Sequence, residues 1–132
     1  MKNLLLFAAL LTTLMACKKE TNPTTTSEVV VNLNLVSPTE NQTYQFGDTV
    51  KILGSLSSAT SLHGYNIRLN HPTINMFVIN QAYHEHGTVF NLNESWVNNV
   101  TDTTQLKLII DVAIDHDGTL KTFEKYITCY PQ

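Results

Sequence analysis

The clearest structural pattern in the sequence runs from Leu106 to Ile127, LKLIIDVAIDHDGTLKTFEKYI. Apolar side chains occupy every second position of its first half: Leu106, Leu108, Ile110, Val112 and Ile114. Successive side chains of a strand point to opposite faces, so this spacing predicts a β-strand with one buried face. Asp115-His116-Asp117-Gly118 then carries the Asp-Gly signal of a hairpin turn, and apolar positions resume at Phe123 and Ile127. The stretch therefore predicts an antiparallel β-hairpin.

The two-residue period also extends backwards to Val29. Predicted strands cover residues 29–35, 50–56, 62–70, 74–81 and 89–92, and turn-forming residues separate them. Ser37-Pro38 and His71-Pro72 end two of these strands, because proline cannot continue a ladder. About seven short strands in about 100 residues predict an all-β protein, an antiparallel immunoglobulin-like β-sandwich, with an up-and-down barrel as the alternative.

The first residues have the layout of a targeting segment. Leu4 to Ala16 is an apolar run of thirteen residues behind a single Lys2, shorter than the ~20 residues that span a bilayer. Leu14-Met15-Ala16-Cys17 resembles the lipobox of bacterial lipoproteins. The resemblance implies cleavage before Cys17, acylation of Cys17 and attachment to a membrane of the bacterial cell envelope, facing the periplasm or the outside. The alternative is an ordinary secretory signal.

These features divide the chain into three parts: a lipoprotein signal peptide at residues 1–16, a lipidated flexible tether at 17–28 and a β-sandwich domain at 29–132. The tether is rich in Thr and lacks large apolar residues. With Cys17 acylated, Cys129 is the one remaining thiol, so no internal disulfide is expected. Its place in the apolar alternation of the last strand predicts a packing role.

Charge and motifs exclude several function classes. Eight Lys and Arg against eleven Asp and Glu leave a net charge of −3, and no basic run could follow a phosphate backbone. A nucleic-acid partner is therefore not expected. The chain has neither a Gly-x-Ser-x-Gly elbow nor a phosphate-binding loop. We expect a binding or structural module rather than an enzyme, an expectation that rests on analogy with other small immunoglobulin-like domains.

Four of the five histidines are predicted to meet at one end of the sandwich. If the third strand turns at Pro72, residue 81 lies opposite His63, and His84 and His86 follow within about 10–15 Å. In an immunoglobulin-like sheet the sixth strand pairs antiparallel with the third, which brings His116 to the same end. His71, in the intervening turn, goes to the other end.

Imidazole is a common ligand of Zn²⁺ and Cu²⁺, so His63, His84, His86 and His116 are the predicted metal ligands. We expect the rings of His63, His116 and at least one of the other two to surround a common point. Three carboxylates could orient them from outside the coordination sphere: Glu85, Asp115 and Asp117. A thiolate zinc site is excluded because no cysteine pair is available.

A structural or adhesive module that binds a protein or a glycan, without metal, is the alternative. Histidines in polar loops are often simply solvated, and His116 suits a turn. For glycan binding, Trp96 with Tyr83 and Phe90 would form an aromatic platform, although a core or rim position for Trp96 is the more ordinary interpretation.

A series of short motifs also resembles small, uncharacterised bacterial lipoprotein domains with an immunoglobulin-like fold. The motifs are Ser37-Pro38, Phe46-Gly47-Asp48, His63-Gly64-Tyr65, His84-Glu85-His86-Gly87, Trp96 and Asp115-His116-Asp117-Gly118. The resemblance covers most of residues 29–130. It implies the fold and the envelope location, and no activity.

Overall fold

A computed structural model describes residues 28–132 of the chain. This range contains eight strands: β1 (Val31–Ser37), β2 (Thr43–Tyr44), β3 (Thr49–Leu62), β4 (Gly64–His71), β5 (Met76–Tyr83), β6 (Gly87–Val97), β7 (Thr104–Ala113) and β8 (Leu120–Cys129). The predicted signal peptide, Cys17 and the predicted tether up to residue 27 lie outside the described residues. Between residues 28 and 132 no helix is long and apolar enough to cross a membrane.

The strands form two packed sheets, which confirms the predicted all-β sandwich. One sheet has the order β1-β3-β6, and the other has the order β2-β8-β7-β4-β5. All pairs are antiparallel except β2 with β8. This order is immunoglobulin-like, with β1, β3 and β6 as strands A, B and E, and β4, β7 and β8 as C, F and G. Eight strands form rather than about seven, because Thr43–Tyr44 adds a strand too short to show a period.

The core lies between the two sheets and follows the alternation described above. On β7, Leu106, Leu108, Ile110 and Val112 are at most 1% exposed; opposite them, Val50, Ile52 and Leu56 of β3 are fully buried. Each such side chain stabilises the fold by about 1.5–3 kcal/mol relative to an exposed position. Cys129 is buried as predicted, and that burial raises the pKa of its thiol to about 11.

The β4–β5 hairpin corrects one detail of the prediction, which is the centre of its turn. Tyr65 pairs with Tyr83, so the strands are reflected about residue 74 rather than residue 72. Pro72 begins a turn that continues to Asn75, which has a positive φ of 48°, and a register shift at Leu69 adds one residue to β5. These extra residues bring positions 84–86 directly beside the start of β4.

Candidate metal-binding site

Four histidines come together where three connections between strands meet. His63 is the single residue between β3 and β4, His84 and His86 lie between β5 and β6, and His116 lies between β7 and β8. The ring centres are 4.0 Å apart for His63 and His116, 4.9 Å for His63 and His86, 5.2 Å for His84 and His86, and 5.7 Å for His86 and His116. His71 is the last residue of β4, at the opposite end of that strand.

Backbone pairing between β4 and β7 places two of these histidines side by side. Gly64 pairs with Ala113, and the His63 N–H donates to the Ala113 carbonyl at 2.9 Å. His116 follows Ala113 by three residues, so the β7–β8 loop has to begin beside His63. The predicted antiparallel pairing of the third and sixth strands is thereby confirmed in β4 and β7.

Gly64 lets the β5–β6 loop approach this junction closely. Its φ is +132°, a conformation that residues with a Cβ rarely adopt. A Cβ at this position would lie 2.4 Å from the Tyr83 carbonyl oxygen, closer than such atoms can approach. Because Tyr83 immediately precedes His84, the absence of a side chain at Gly64 decides how near His84 comes to His63.

Tyr83 anchors the same loop from the other direction. Its ring stacks on Tyr65 with centres 4.7 Å apart. Its hydroxyl donates a hydrogen bond to the Glu94 carboxylate on β6, and this bond raises the pKa of Tyr83 to about 12. The contact joins β5 of one sheet to β6 of the other just before the loop that carries His84 and His86. Sequence analysis missed this pair, because residues eleven apart on different strands share no local pattern.

The β7–β8 loop is organised around Asp115. Its Oδ1 accepts the backbone N–H of Asp117 at 2.9 Å and of Thr119 at 3.0 Å. Hydrogen bonds from the Thr119 side chain and from these N–H groups hold the pKa of Asp115 below its usual value. Asp115 is therefore a carboxylate held in place near His63, whereas Asp117 and Glu85 are exposed.

His63 is the least exposed of the four histidines, whereas His86 is the ring whose centre lies within 5.7 Å of the other three. His63 is half-buried, while His84, His86 and His116 are exposed. Burial lowers the pKa of His63, as do the neighbouring His116 and His86, and Asp115 opposes them. Its Nδ1 is buried and has no hydrogen-bond partner among the described residues. The neutral ring therefore keeps a nitrogen without a hydrogen-bond partner, and the rings of His86 and His116 lie beside the His63 ring.

The spacing of the rings is close to that of imidazoles sharing one ion. With Zn–N bonds of ~2.0–2.1 Å and tetrahedral angles, two ligand rings have centres about 5 Å apart. Three of the four separations are near this value, and the 4.0 Å between His63 and His116 is shorter. Within residues 28–132, no group of three or more His, Cys, Asp or Glu side chains already has a metal-holding arrangement. Metal binding by all four histidines therefore requires the rings to rearrange, including a separation of the His63 and His116 rings by about 1 Å.

A cleft of about 240 Å³ opens beside the histidines on the outer side of the larger sheet. Its lining includes His63, Tyr65, Tyr83, His84, Asp111 and Leu120. The volume is below the ~300–1,000 Å³ of pockets that bind larger organic ligands. A cleft of this size suits water or a small molecule beside His63 and His84.

The aromatic residues considered for glycan binding do not form one platform. Phe90 is buried, 4% exposed, and packs on Tyr65. Tyr83 stacks on the ring of Tyr65. Trp96 lies on β6 six residues after Phe90, and together with His71 it lines a second cavity of about 190 Å³. Trp96 is thus a half-buried rim residue, which confirms the more ordinary interpretation.

None of the protein-family models searched matches the chain, and none of the curated proteins matches it significantly. The resemblance to bacterial lipoprotein domains therefore stays a prediction based on its motifs.

Proposed function

We propose that this protein is a lipid-anchored protein of the bacterial cell envelope whose β-sandwich binds Zn²⁺ or Cu²⁺ through His63, His84, His86 and His116. The observation that carries the proposal is the position of the His63 ring, in contact range of both His86 and His116. Three separate connections bring these rings together, so no single turn or strand explains their grouping.

The free nitrogen of His63 supports a bound ion. Buried polar atoms almost always have a partner, and an unpaired one calls for a specific explanation such as an ion. His71 also has a buried Nδ1 without a partner among the described residues, but no second histidine lies beside it. The neighbouring rings therefore distinguish the two positions, and they make His71 a matched control.

Ligand chemistry supports Zn²⁺ and Cu²⁺ over other ions. Neutral imidazoles suit both metals, whereas Ca²⁺ and Mg²⁺ prefer oxygen ligands. The only described thiol, Cys129, is buried within the sandwich. Asp115 would supply negative charge near the ion without needing to ligate it.

Metal analysis of tag-free protein tests this proposal directly. We expect near-stoichiometric Zn²⁺ or Cu²⁺ and a melting temperature that rises with metal concentration, since a ligand of the native state alone stabilises it. Calorimetric titration should show binding weakened at least about tenfold in His63→Ala, since losing a ligand costs no less than losing an outer hydrogen-bond partner. His71→Ala should bind as the wild type does. Equal affinity in all three proteins would contradict the site.

The lipid anchor has its own test. Cells expressing the wild-type chain should incorporate a palmitate analogue into the protein, and cells expressing Cys17→Ala should not. The buried Cys129 provides no competing exposed thiol. Equal labelling of both proteins would contradict acylation at Cys17 and leave an ordinary secretory signal as the better interpretation.

One observation favours the alternative of a glycan-binding module. The outer face of the β1-β3-β6 sheet carries exposed, uncharged amides at Asn32, Asn34, Asn91 and Asn93. Such a face could exchange hydrogen bonds with sugar hydroxyls. Binding of neutral oligosaccharides that is lost in Asn91→Asp and Asn93→Asp, together with no metal response, would favour this alternative.

A further inference from the structure

The described chain begins at the same end of the sandwich as the four histidines. The Glu28 carboxylate lies 3.8 Å from Lys121 Nζ. Lys121 pairs with Val112 on β7. Val112 is followed by Ala113, whose carbonyl accepts the His63 N–H. Glu28 is therefore close to the junction that carries His63.

The register of β1 gives independent evidence for this entry point. Val31 pairs with Ser58, and from there β3 continues to Leu62, the residue before His63. Because β1 and β3 are antiparallel, β1 then runs away from the histidines. The backbone pairing and the side-chain contact of Glu28 thus agree.

Other parts of the chain define the opposite end. The turn 72–75 follows His71 there, and β8 ends at Cys129 beside Thr104, so the C-terminus lies at this end as well. Asn98 holds the terminus by donating to the Tyr130 carbonyl at 2.9 Å. The two ends of β4 are seven residue steps, or about 23 Å, apart.

We propose that the four-histidine end of the sandwich faces the lipid surface that anchors Cys17, so that metal binds and leaves on the lipid side of the domain. This inference rests on the proposed lipid anchor and metal site. Eleven residue steps separate Cys17 from Glu28, and a fully extended chain of that length covers at most about 40 Å. The end with His71 and the C-terminus points away from the lipid.

Energy transfer from the two ends to a labelled lipid tests this orientation. The full-length protein is produced in bacteria, purified from membranes and reconstituted in phosphatidylcholine vesicles that contain an acceptor-labelled lipid. A donor dye is attached to Thr88→Cys, beside the histidines, or to Thr73→Cys, in the far turn; both positions are exposed. The buried Cys129 stays unlabelled. We expect several-fold more efficient transfer from Thr88→Cys than from Thr73→Cys, because transfer falls steeply with distance.

Three outcomes would contradict the inference in distinguishable ways. Equal transfer, or more from Thr73→Cys, in protein that carries the acyl group on Cys17 overturns the orientation while the anchor stands. A mass spectrum without the acyl group overturns the anchor and the orientation together. The expected order of transfer, with neither Zn²⁺ nor Cu²⁺ binding in calorimetry, overturns metal exchange at the lipid surface and the proposed metal site.

Discussion

At the scale of single residues, His63 combines three properties that no other histidine combines, although His71 shares two of them. His63 is half-buried, its ring lies within 5 Å of two others, and its Nδ1 lacks a partner among the described residues. Each property disfavours a proton on the ring. A metal ion that accepts the Nδ1 lone pair would give this nitrogen a partner without a proton on the ring.

The lowered pKa of His63 predicts how stability depends on pH without metal. Below the unfolded-state pKa of about 6.5, the unfolded chain takes up a proton more readily than the folded one. Stability is therefore fully present above about pH 6.5 and is lost as pH falls through the lower folded pKa. With a chelator present, the urea concentration at the unfolding midpoint should decrease as pH falls below about 6.5 in the wild type. The decrease should be smaller in His63→Gln. The same decrease in both proteins would contradict this role.

At the scale of the strand and its connections, the close approach at Gly64 predicts a large cost for a methyl group. In Gly64→Ala the new methyl group would clash with the Tyr83 carbonyl, and the positive φ would be strained for alanine. Together these two effects should destabilise the protein by about 2–4 kcal/mol. Gly118 is the matched control, since its φ is +87° but nothing lies within 4 Å of a Cβ there. Gly118→Ala should cost only about 1 kcal/mol in urea unfolding. Equal losses would show that the approach to Tyr83 is unimportant.

Asp111 joins three strands on the outer face of the larger sheet. It forms an ion pair with Arg68 on β4 and accepts the Thr122 hydroxyl of β8 at 2.6 Å. The alternation placed Asp111 on the polar face, yet it is only 4% exposed because these partners surround it.

Asp111→Ala should therefore destabilise the protein by about 2–3 kcal/mol in urea unfolding. This loss of stability is smaller than that expected for a fully buried ion pair, since the Arg68 side chain is 32% exposed. Lys107→Ala breaks the neighbouring, more exposed pair with Glu124 and should cost at most about 1 kcal/mol. A larger loss in Lys107→Ala would contradict this ranking.

At the scale of the whole molecule, the histidines lie where both sheets meet. His63 joins β3 of the smaller sheet to β4 of the larger one, and the loop with His84 and His86 joins β5 to β6. A metal shared among these rings would fasten the two sheets at one end. Hydrogen exchange should therefore slow with Zn²⁺ at residues 62–64, 84–88 and 113–120 and stay unchanged at 71–76. Hydrogen exchange that slows equally along the chain, or does not slow at all, would contradict a metal that fastens the two sheets at this end.

The alternating pattern of the sequence predicted an all-β protein and favoured the sandwich over a barrel, because a buried face with a two-residue period leaves its pattern in most of the long strands. The pattern from Leu106 to Ile114 identified β7, and the Asp-Gly turn identified its hairpin with β8. The pairing of β4 with β7 followed from the immunoglobulin-like order, and with it the expectation that His63 and His116 meet. These conclusions needed only alternation, turns and topology.

Tertiary structure alone decided how closely the site assembles and what supports it. The turn after Pro72 and the register shift at Leu69 moved residues 84–86 into place, and both depend on strand packing rather than on local sequence. Asn98 is another such case: fully buried, it donates to two carbonyls and accepts the Val100 N–H, although nothing in its neighbourhood marks it. The physical reason is that periodicity records which face of a strand is buried, whereas hydrogen bonds, close approaches and ring spacings depend on residues far apart in the chain.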